Sequence, residues 1–241
     1  MASVIDNNSV LKELFETKMA CGLTGGAVSM HSNIPLEYAE ALYRTVLANR
    51  PALVLEVGMA FGISSLAILT ALHEDGGGGR LISIDPYQTT QWKGCGILAV
   101  KRSGLHERHE LIEEFDYIAL PKLLGSGLRV DLAYIDGRHT FDYTLLDCWY
   151  LDKMLDRGGV IGFNDCGWPA VHRVISFLLS HRKYEEMDVG LPLEFADYTR
   201  FRGLLRRVTR RDPRLYFRVA QDRYFRKAQH WEPNYDFFSK F

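Results

Sequence analysis

Four polar side chains stand at the ends of two apolar stretches and have the types needed for metal and proton chemistry. Asp136 and His139 lie in YIDGRHTF, and Asn164 and Asp165 lie in GGVIGFNDCG. Carboxylate and amide oxygens suit Mg²⁺, Mn²⁺ or Ca²⁺ better than zinc. A histidine can accept a proton near neutral pH, because its unperturbed pKa lies there. We therefore predict a divalent cation on Asp136, Asn164 and Asp165, and His139 is the predicted general base.

Each of these residues also has a plain structural interpretation. Asp136 can cap a turn, and Asp165 can cap the helix that follows it, because aspartate is a favourable N-cap. His139 can be a solvated loop residue. Cys166 follows Asp165, where a good oxygen ligand would strengthen a magnesium site, and Asn164 adds no charge. The residue types alone leave both the metal and the base open.

A repeated alternation of apolar runs and amphipathic segments must position these side chains. The apolar runs are typical of buried parallel strands, and the segments between them have helical periodicity. Strands are predicted at 53–58, 80–85, 109–115, 130–136 and 159–165, and two further strands within 184–190 and 222–229. Helices are predicted at 9–19, 35–49, 63–74, 92–104, 119–127, 142–155 and 170–181. Strands that alternate with helices indicate right-handed crossovers and a parallel sheet.

The length of 241 residues fits one α/β domain. We expect N-terminal helices and a loop over 1–50 that form a cap, a cofactor-binding core over 51–185, and the last strands with a basic segment over 186–241. No signal peptide or membrane-length apolar run is evident in the sequence, so we expect a cytoplasmic protein. The Gly- and Ser-rich stretch within 21–35 is predicted to be a loop.

The stretch LVLEVGMAFG at 53–62 is predicted to be a strand followed by a cofactor loop. Gly58 and Gly62 let backbone approach a ligand, whereas the dinucleotide fingerprint needs a further glycine between them. Glu56 would sit badly near a pyrophosphate but suits the ammonium and sulfonium of S-adenosylmethionine (SAM). Asp85 ends the second strand, where an acid can accept hydrogen bonds from the hydroxyls of a ribose. Phe115 and Asp116 end the third and can frame an adenine.

These motifs as a set resemble class I SAM-dependent methyltransferases. LVLEVGMAFGISSLAIL, LISIDPY, YIDGRHTF and GGVIGFND look most like the O-methyltransferase branch, which includes catechol-type and macrocin-type enzymes. The resemblance covers roughly residues 28–185 and implies a Rossmann-like fold with a mostly parallel seven-stranded sheet flanked by helices.

The resemblance also assigns roles to individual residues. It implies that Glu56 and the loop Gly58–Gly62, which includes Ala60, bind the methionyl part of SAM. Asp85 would bind the ribose, and Phe115 with Asp116 the adenine. The remaining implied cofactor ligands are Ser64 and Ser65, at the N-terminus of the following helix, and Asp136. By the same resemblance Asp136 and Asp165 bind Mg²⁺, and His139 is the general base.

We therefore expect an O-methyltransferase that acts on a hydroxyl of a small molecule, such as a natural-product sugar or phenol. The sequence leaves a homo-oligomer open. Residues 200–227 hold eleven Arg or Lys against two Asp in a chain of net charge −1. This basic segment leaves an RNA or protein methyltransferase as an alternative, although we do not expect nucleic acid as the partner. A SAM-binding protein without catalysis is a further alternative.

Overall fold

A computed structural model describes residues 3–191 and 221–241. The helices, in chain order, are α1 Val4–Asn7, α2 Ser9–Thr17, α3 Leu36–Asn49, α4 Ile63–Glu74, α5 Cys95–Arg102, α6 Asp116–Gly125, α7 Phe141–Met154 and α8 Pro169–His181. The strands are β1 Met19–Cys21, β2 Ala27–Ser29, β3 Leu53–Val57, β4 Arg80–Ile84, β5 His109–Ile112, β6 Val130–Ile135, β7 Leu155–Phe163, β8 Tyr184–Met187 and β9 Arg223–Lys227.

Seven of these strands form one sheet in the order β5-β4-β3-β6-β7-β9-β8. The pairs from β5 to β7 are parallel, and β9 runs antiparallel to both of its neighbours. The chain builds β3, β4 and β5 outwards in one direction and then returns to place β6 on the other side of β3. This reversal opens a crevice at the carboxyl ends of β3 and β6, which is where open α/β sheets bind ligands.

Apolar side chains bury the sheet on both faces. Along β3, Leu53, Leu55 and Val57 belong to one buried cluster, and Val54 belongs to another. Alternate residues of a strand point to opposite faces, so both faces of β3 are covered. Helix α4 lies within the first core, where its residues from Ile63 to Leu72 are buried, which explains why its sequence is apolar all round.

The predicted fold class is confirmed: the protein is α/β, with a seven-stranded, mostly parallel sheet and helices on both faces. Several local predictions differ from the structure; β7, for example, begins at Leu155 rather than at 159. The stretch predicted as a loop over 21–35 contains most of a β-hairpin, because Gly25 and Gly26 adopt positive φ and form its turn. Helix α6 begins at Asp116 rather than at 119, and the third predicted strand ends at Ile112 rather than at 115.

Within the part of the chain that the structure describes, no helix has both the length and the apolar character to cross a membrane.

Candidate active site

A cavity of about 350 Å³ lies at the carboxyl ends of the parallel strands. Six of the predicted cofactor residues line it: Gly58, Ala60, Asp85, Phe115, Asp116 and Asp136. Aromatic and cationic side chains complete the wall: Tyr87, Trp92, Arg138 and Tyr143. The volume is in the range of small-molecule sites, and a largely apolar wall with a few polar groups is typical of them. The topology therefore brings most of the predicted cofactor residues to one place.

The backbone of the loop after β3 passes very close to the strand beside it. Gly58 has φ +92°, and a Cβ built there would lie 2.1 Å from the carbonyl oxygen of Asp136. No other residue type fits this position, because backbone atoms cannot rotate away. Gly62 has φ +86°, and its Cβ would meet Gly96 of α5 at 3.1 Å. The packing of α4 on α5 thus favours glycine at position 62. Gly62 does not line the cavity.

Asp85 fixes the shape of the same loop. Its Oδ2 atom accepts the backbone N–H of Ala60 at 2.8 Å and that of Met59 at 3.2 Å. It also accepts the side-chain amide of Gln88 at 3.0 Å, and Oδ1 accepts the N–H of Tyr87 at 2.9 Å. These four bonds show a second role for the acid at the end of β4. It ties the β3 loop and the β4 loop together at the mouth of the cavity.

Glu56 lies beneath the loop, fully buried, and is not part of the cavity wall. Its Oε2 atom accepts the hydroxyls of Ser65 at 2.5 Å and Ser83 at 2.6 Å, and its Oε1 atom has no hydrogen-bond partner among the described residues. Burial raises the pKa of Glu56, against hydrogen bonds from Ser64 and Ser65 that lower it. Ser64 and Ser65 are themselves buried. The cofactor roles of these three residues stay predictions.

Aromatic rings surround the predicted adenine end of the cavity. Phe115 stacks on Tyr117 at 5.1 Å between ring centroids and meets Tyr87 edge-on at 5.7 Å. Tyr143 of α7 contacts Tyr117 at 6.1 Å, and the guanidinium of Arg138 lies 5.1 Å from the Tyr143 ring. A flat heterocycle is well matched to such a wall, because aromatic faces and edges attract one another.

His139 stands between two carboxylates beside the cavity. Its Nε2 atom lies 3.3 Å from Asp165 Oδ2 and 3.6 Å from Asp136 Oδ1. The Trp168 ring lies 5.5 Å from the imidazole. All three members of this group are mostly buried, and Asp136 lines the cavity. The structure thus brings together the three residues that the sequence places after two neighbouring strands.

Burial dominates the proton equilibria of this group. It lowers the pKa of His139, against the charge of Asp165, which raises it. It raises the pKa of Asp165, against the charge of His139. Burial, followed by the charges of Asp222 and Asp165, raises the pKa of Asp136 well above its ordinary value. Burial therefore favours the neutral, proton-accepting form of the histidine.

Asp222 is an unpredicted member of the region and lies behind these residues. It accepts the side-chain amide of Asn164 at 2.7 Å and the hydroxyls of Tyr134 at 2.9 Å and Tyr224 at 3.1 Å. Burial raises the pKa of Asp222 to about 7, against these three hydrogen bonds, which lower it. Nothing in the sequence around Asp222 marks it, because it reaches the site only through the pairing of β9 with β7.

The three predicted cation ligands have other partners. Asp136 and Asp165 each place an oxygen near the same atom, His139 Nε2, and Asn164 donates its amide to Asp222. Across residues 3–191 and 221–241, no group of three or more His, Cys, Asp or Glu is arranged to hold a metal ion. Magnesium on these residues therefore stays a prediction and carries no step below.

Asp147 of α7 is a further buried acid that no motif predicts, although its spacing from Tyr143 places both on one face of the helix. Most of the basic segment 200–227 lies outside the described residues. Within the part that is described, Arg223 pairs with Glu186 across β8 and β9 at 2.6 Å.

Residues 55–166 match the model of a family described as "Methyltransferase domain". This range holds the cavity-lining loops, His139 and Asp165. No curated protein sequence matches the chain significantly.

Solved structures share the fold at low sequence identity. An O-methyltransferase from Bacillus cereus in complex with S-adenosylhomocysteine (SAH) is 14% identical, with a TM-score of 0.62 over 75% of this chain and 83% of that one. The O-methyltransferase TomG from Streptomyces achromogenes, involved in tomaymycin synthesis and in complex with SAM, is 15% identical, with a TM-score of 0.58 over 78% and 82%. The SAH-bound methyltransferase PaMTH1 of Podospora anserina is 15% identical, with a TM-score of 0.61 over 93% and 92%.

Identities this low show the fold alone, and the family match adds the class of domain. The chain therefore has the fold of methyltransferases that bind SAM or SAH, and its residues 55–166 match a methyltransferase domain.

Proposed function

We propose that the protein transfers the methyl group of SAM to a hydroxyl oxygen of a small molecule, with His139 as the general base. The observation that carries the proposal is the position of His139, between Asp136 and Asp165 at the edge of the cavity. Two of the structures that share the fold are named as O-methyltransferases, which supports an oxygen acceptor.

The proposed cofactor position follows the lining of the cavity. Gly58 and Ala60 present backbone to the methionyl part, and Asp85 lies at the ribose. Phe115 and Asp116 lie at the adenine. The cavity fits the cofactor because Asp136 lies in the wall beside its cationic part and aromatic rings surround its heterocycle. SAM, when bound there, supplies an electrophilic methyl group.

The acceptor hydroxyl loses one proton during the transfer, and the protein has to accept that proton. The acceptor oxygen bonds to the methyl carbon while the bond from that carbon to sulfur breaks, which leaves SAH as the other product. The hydroxyl proton passes to the unprotonated ring nitrogen of His139. The carboxylate of Asp165, 3.3 Å from Nε2, stabilises the imidazolium that forms. Burial lowers the pKa of His139, which favours the neutral ring before the transfer.

Trp168 extends the proposed acceptor side. Its ring is 38% exposed and lies against His139. An exposed aromatic face beside the base favours a planar or ring-shaped acceptor, in agreement with a phenol or a sugar. We also propose that Asp136, Asn164 and Asp165 bind Mg²⁺. Turnover that falls in EDTA and returns when Mg²⁺ is added would support this cation site.

The test compares His139→Ala with His73→Ala, because His73 is exposed on α4, away from the cavity. Calorimetry measures the SAM affinity of each variant, and SAH release measures turnover with an acceptor found in a panel of phenols and sugars. We expect His139→Ala to bind SAM like the wild type and to lose about 100-fold in turnover, the usual scale for a general base. Unchanged turnover would exclude His139 as the base, and no heat with SAM would contradict the cofactor position itself.

A further inference from the structure

Asp147 is a buried acid that the proposed chemistry does not use. It lies in the middle of α7 with no exposed surface. Neither carboxyl oxygen has a hydrogen-bond donor among the described residues. An unpartnered, ionised carboxylate in such a place would cost several kcal/mol, so the side chain must be satisfied in another way.

The geometry of α7 points Asp147 towards the adenine end of the cavity. Tyr143, which lines the cavity, stands four residues earlier and therefore on the same face of the helix. That face packs against α6, whose first residue is Asp116. The carboxyl groups of Asp147 and Asp116 lie within hydrogen-bonding range of each other. Asp116 itself lines the cavity.

Two carboxyl groups in contact away from water cannot both be ionised, so they share one proton. Burial, followed by the charge of Asp116, raises the pKa of Asp147 well above its ordinary value. The other ionisable groups near the pair are Arg138, which acts on Asp116, and the buried thiol of Cys148. Arg138 favours the charge on Asp116. The proton therefore belongs to Asp147, which is a neutral carboxylic acid.

The Asp116 carboxylate is then held at two points. Its Oδ1 atom accepts the N–H of Tyr117 at 2.7 Å. The carboxylic acid of Asp147 supplies a second donor from behind. A carboxylate fixed in this way cannot turn out to the solvent, and its remaining lone pairs are available on the cavity side.

We propose that Asp147 is a positioning residue for cofactor recognition. Its protonated carboxyl orients Asp116 so that Asp116 accepts a hydrogen bond from the exocyclic amine of adenine. A base with an oxygen in place of that amine is rejected. The inference deepens the proposed function and rests on its placement of adenine at Asp116. The pair would select adenine by charge as well as by shape. A carbonyl oxygen at the same position meets a carboxylate, and two acceptors repel.

The experiment measures binding of SAH and of S-inosylhomocysteine, which differs by an oxygen in place of the exocyclic amine. Calorimetry gives both affinities for the wild type, Asp147→Leu and Asp147→Asn. Leucine keeps the branched shape of the side chain but is larger and has no donor, whereas the asparagine amide can still donate to Asp116. Because leucine is larger, thermal melting verifies that each variant is folded.

We expect the wild type to prefer SAH over S-inosylhomocysteine. Asp147→Leu should lose about tenfold of that preference, which is the scale of one buried hydrogen bond to a charged group. Asp147→Asn should keep the preference. Asp147→Asn, which keeps the size of the side chain and a donor, tests the proposal even if the leucine variant is unfolded.

Wild-type preference in folded Asp147→Leu would overturn the proposal, and so would loss of the preference in folded Asp147→Asn. Asp116→Ala separates this failure from a failure of the proposed function. If Asp116→Ala keeps the preference for SAH, adenine does not lie at Asp116. If it loses the preference while Asp147→Leu keeps it, only the role of Asp147 is wrong.

Discussion

The backbone N–H of Ala60 donates to Asp85 Oδ2 over 2.8 Å, so an acid at the end of β4 sets the conformation of the loop after β3. Ala60 needs this restraint, because its φ of +45° is unusual for a residue with a Cβ. The two motifs that suggest a cofactor site in the sequence are thus one hydrogen-bonded unit in the fold.

Asp85→Asn should weaken SAM binding by about tenfold, because an amide cannot accept all four donors that the carboxylate holds and charge-assisted bonds are the stronger ones. Calorimetry with SAM measures the effect. Asp131→Asn is a matched control, since Asp131 also accepts two backbone N–H groups, from Ala52 and Leu53, at the opposite end of the sheet. Equal losses of SAM affinity in the two variants would show that Asp85 has no special role at the cavity.

Gly58→Ala should destabilise the fold by about 3 kcal/mol, because the new Cβ meets the backbone of Asp136 and the φ is positive. SAM binding should be lost with it. Urea denaturation measures the free energy of unfolding. In Gly104→Ala the φ of +75° is similar but no atom lies within 4 Å of the new Cβ, so only about 1 kcal/mol of backbone strain remains. A cost for Gly58→Ala no larger than that of the control would contradict the close approach.

Asn164→Ala should lower the free energy of unfolding by about 2 kcal/mol, because Asp222 loses a buried amide donor. Asn33→Ala is the control: that side chain is exposed and bonds only the carbonyl of the next residue, so its loss should be within about 0.5 kcal/mol. The same pair of variants examines the predicted cation. Added Mg²⁺ that raises the melting temperature of the wild type but not of Asn164→Ala would show that Asn164 is a ligand.

His109 should make the fold less stable in acid. Burial lowers the pKa of His109 from 6.5 to about 4. The unfolded chain therefore binds a proton in this range that the folded chain does not, and stability falls as the pH drops from 6.5 towards 4. On the order of 2 kcal/mol is at stake. Denaturation at a series of pH values measures the slope.

His109→Gln should flatten that slope, because glutamine can still donate to the Ser83 hydroxyl, which lies 3.0 Å from His109 Nε2, but does not titrate. His73→Gln, on an exposed position of α4, should leave the slope as it is in the wild type. If the two variants have the same pH dependence, the acid sensitivity does not come from His109.

Much of the fold follows from local patterns in the sequence. Apolar runs such as LVLEV and LAYI are buried on both faces of the sheet, as parallel strands covered by helices are. Gly58 is required by the chain crossing at the end of β3, and it was predicted because a glycine after an apolar run permits close approach. The acids Asp85, Asp116 and Asp136 were predicted at the cavity because strand ends meet at one edge of a parallel sheet.

The sequence by itself determined which residues stand at the ends of the strands, because strand length and direction are encoded in short-range apolar patterns. Only the tertiary structure decided what those residues contact. The burial of Glu56 under its own loop, the engagement of Asn164 by Asp222 and the pairing of Asp116 with Asp147 join residues from 9 to 58 positions apart. Such contacts depend on how helices and strands pack in three dimensions, and no local pattern specifies the distance between two side chains on different elements.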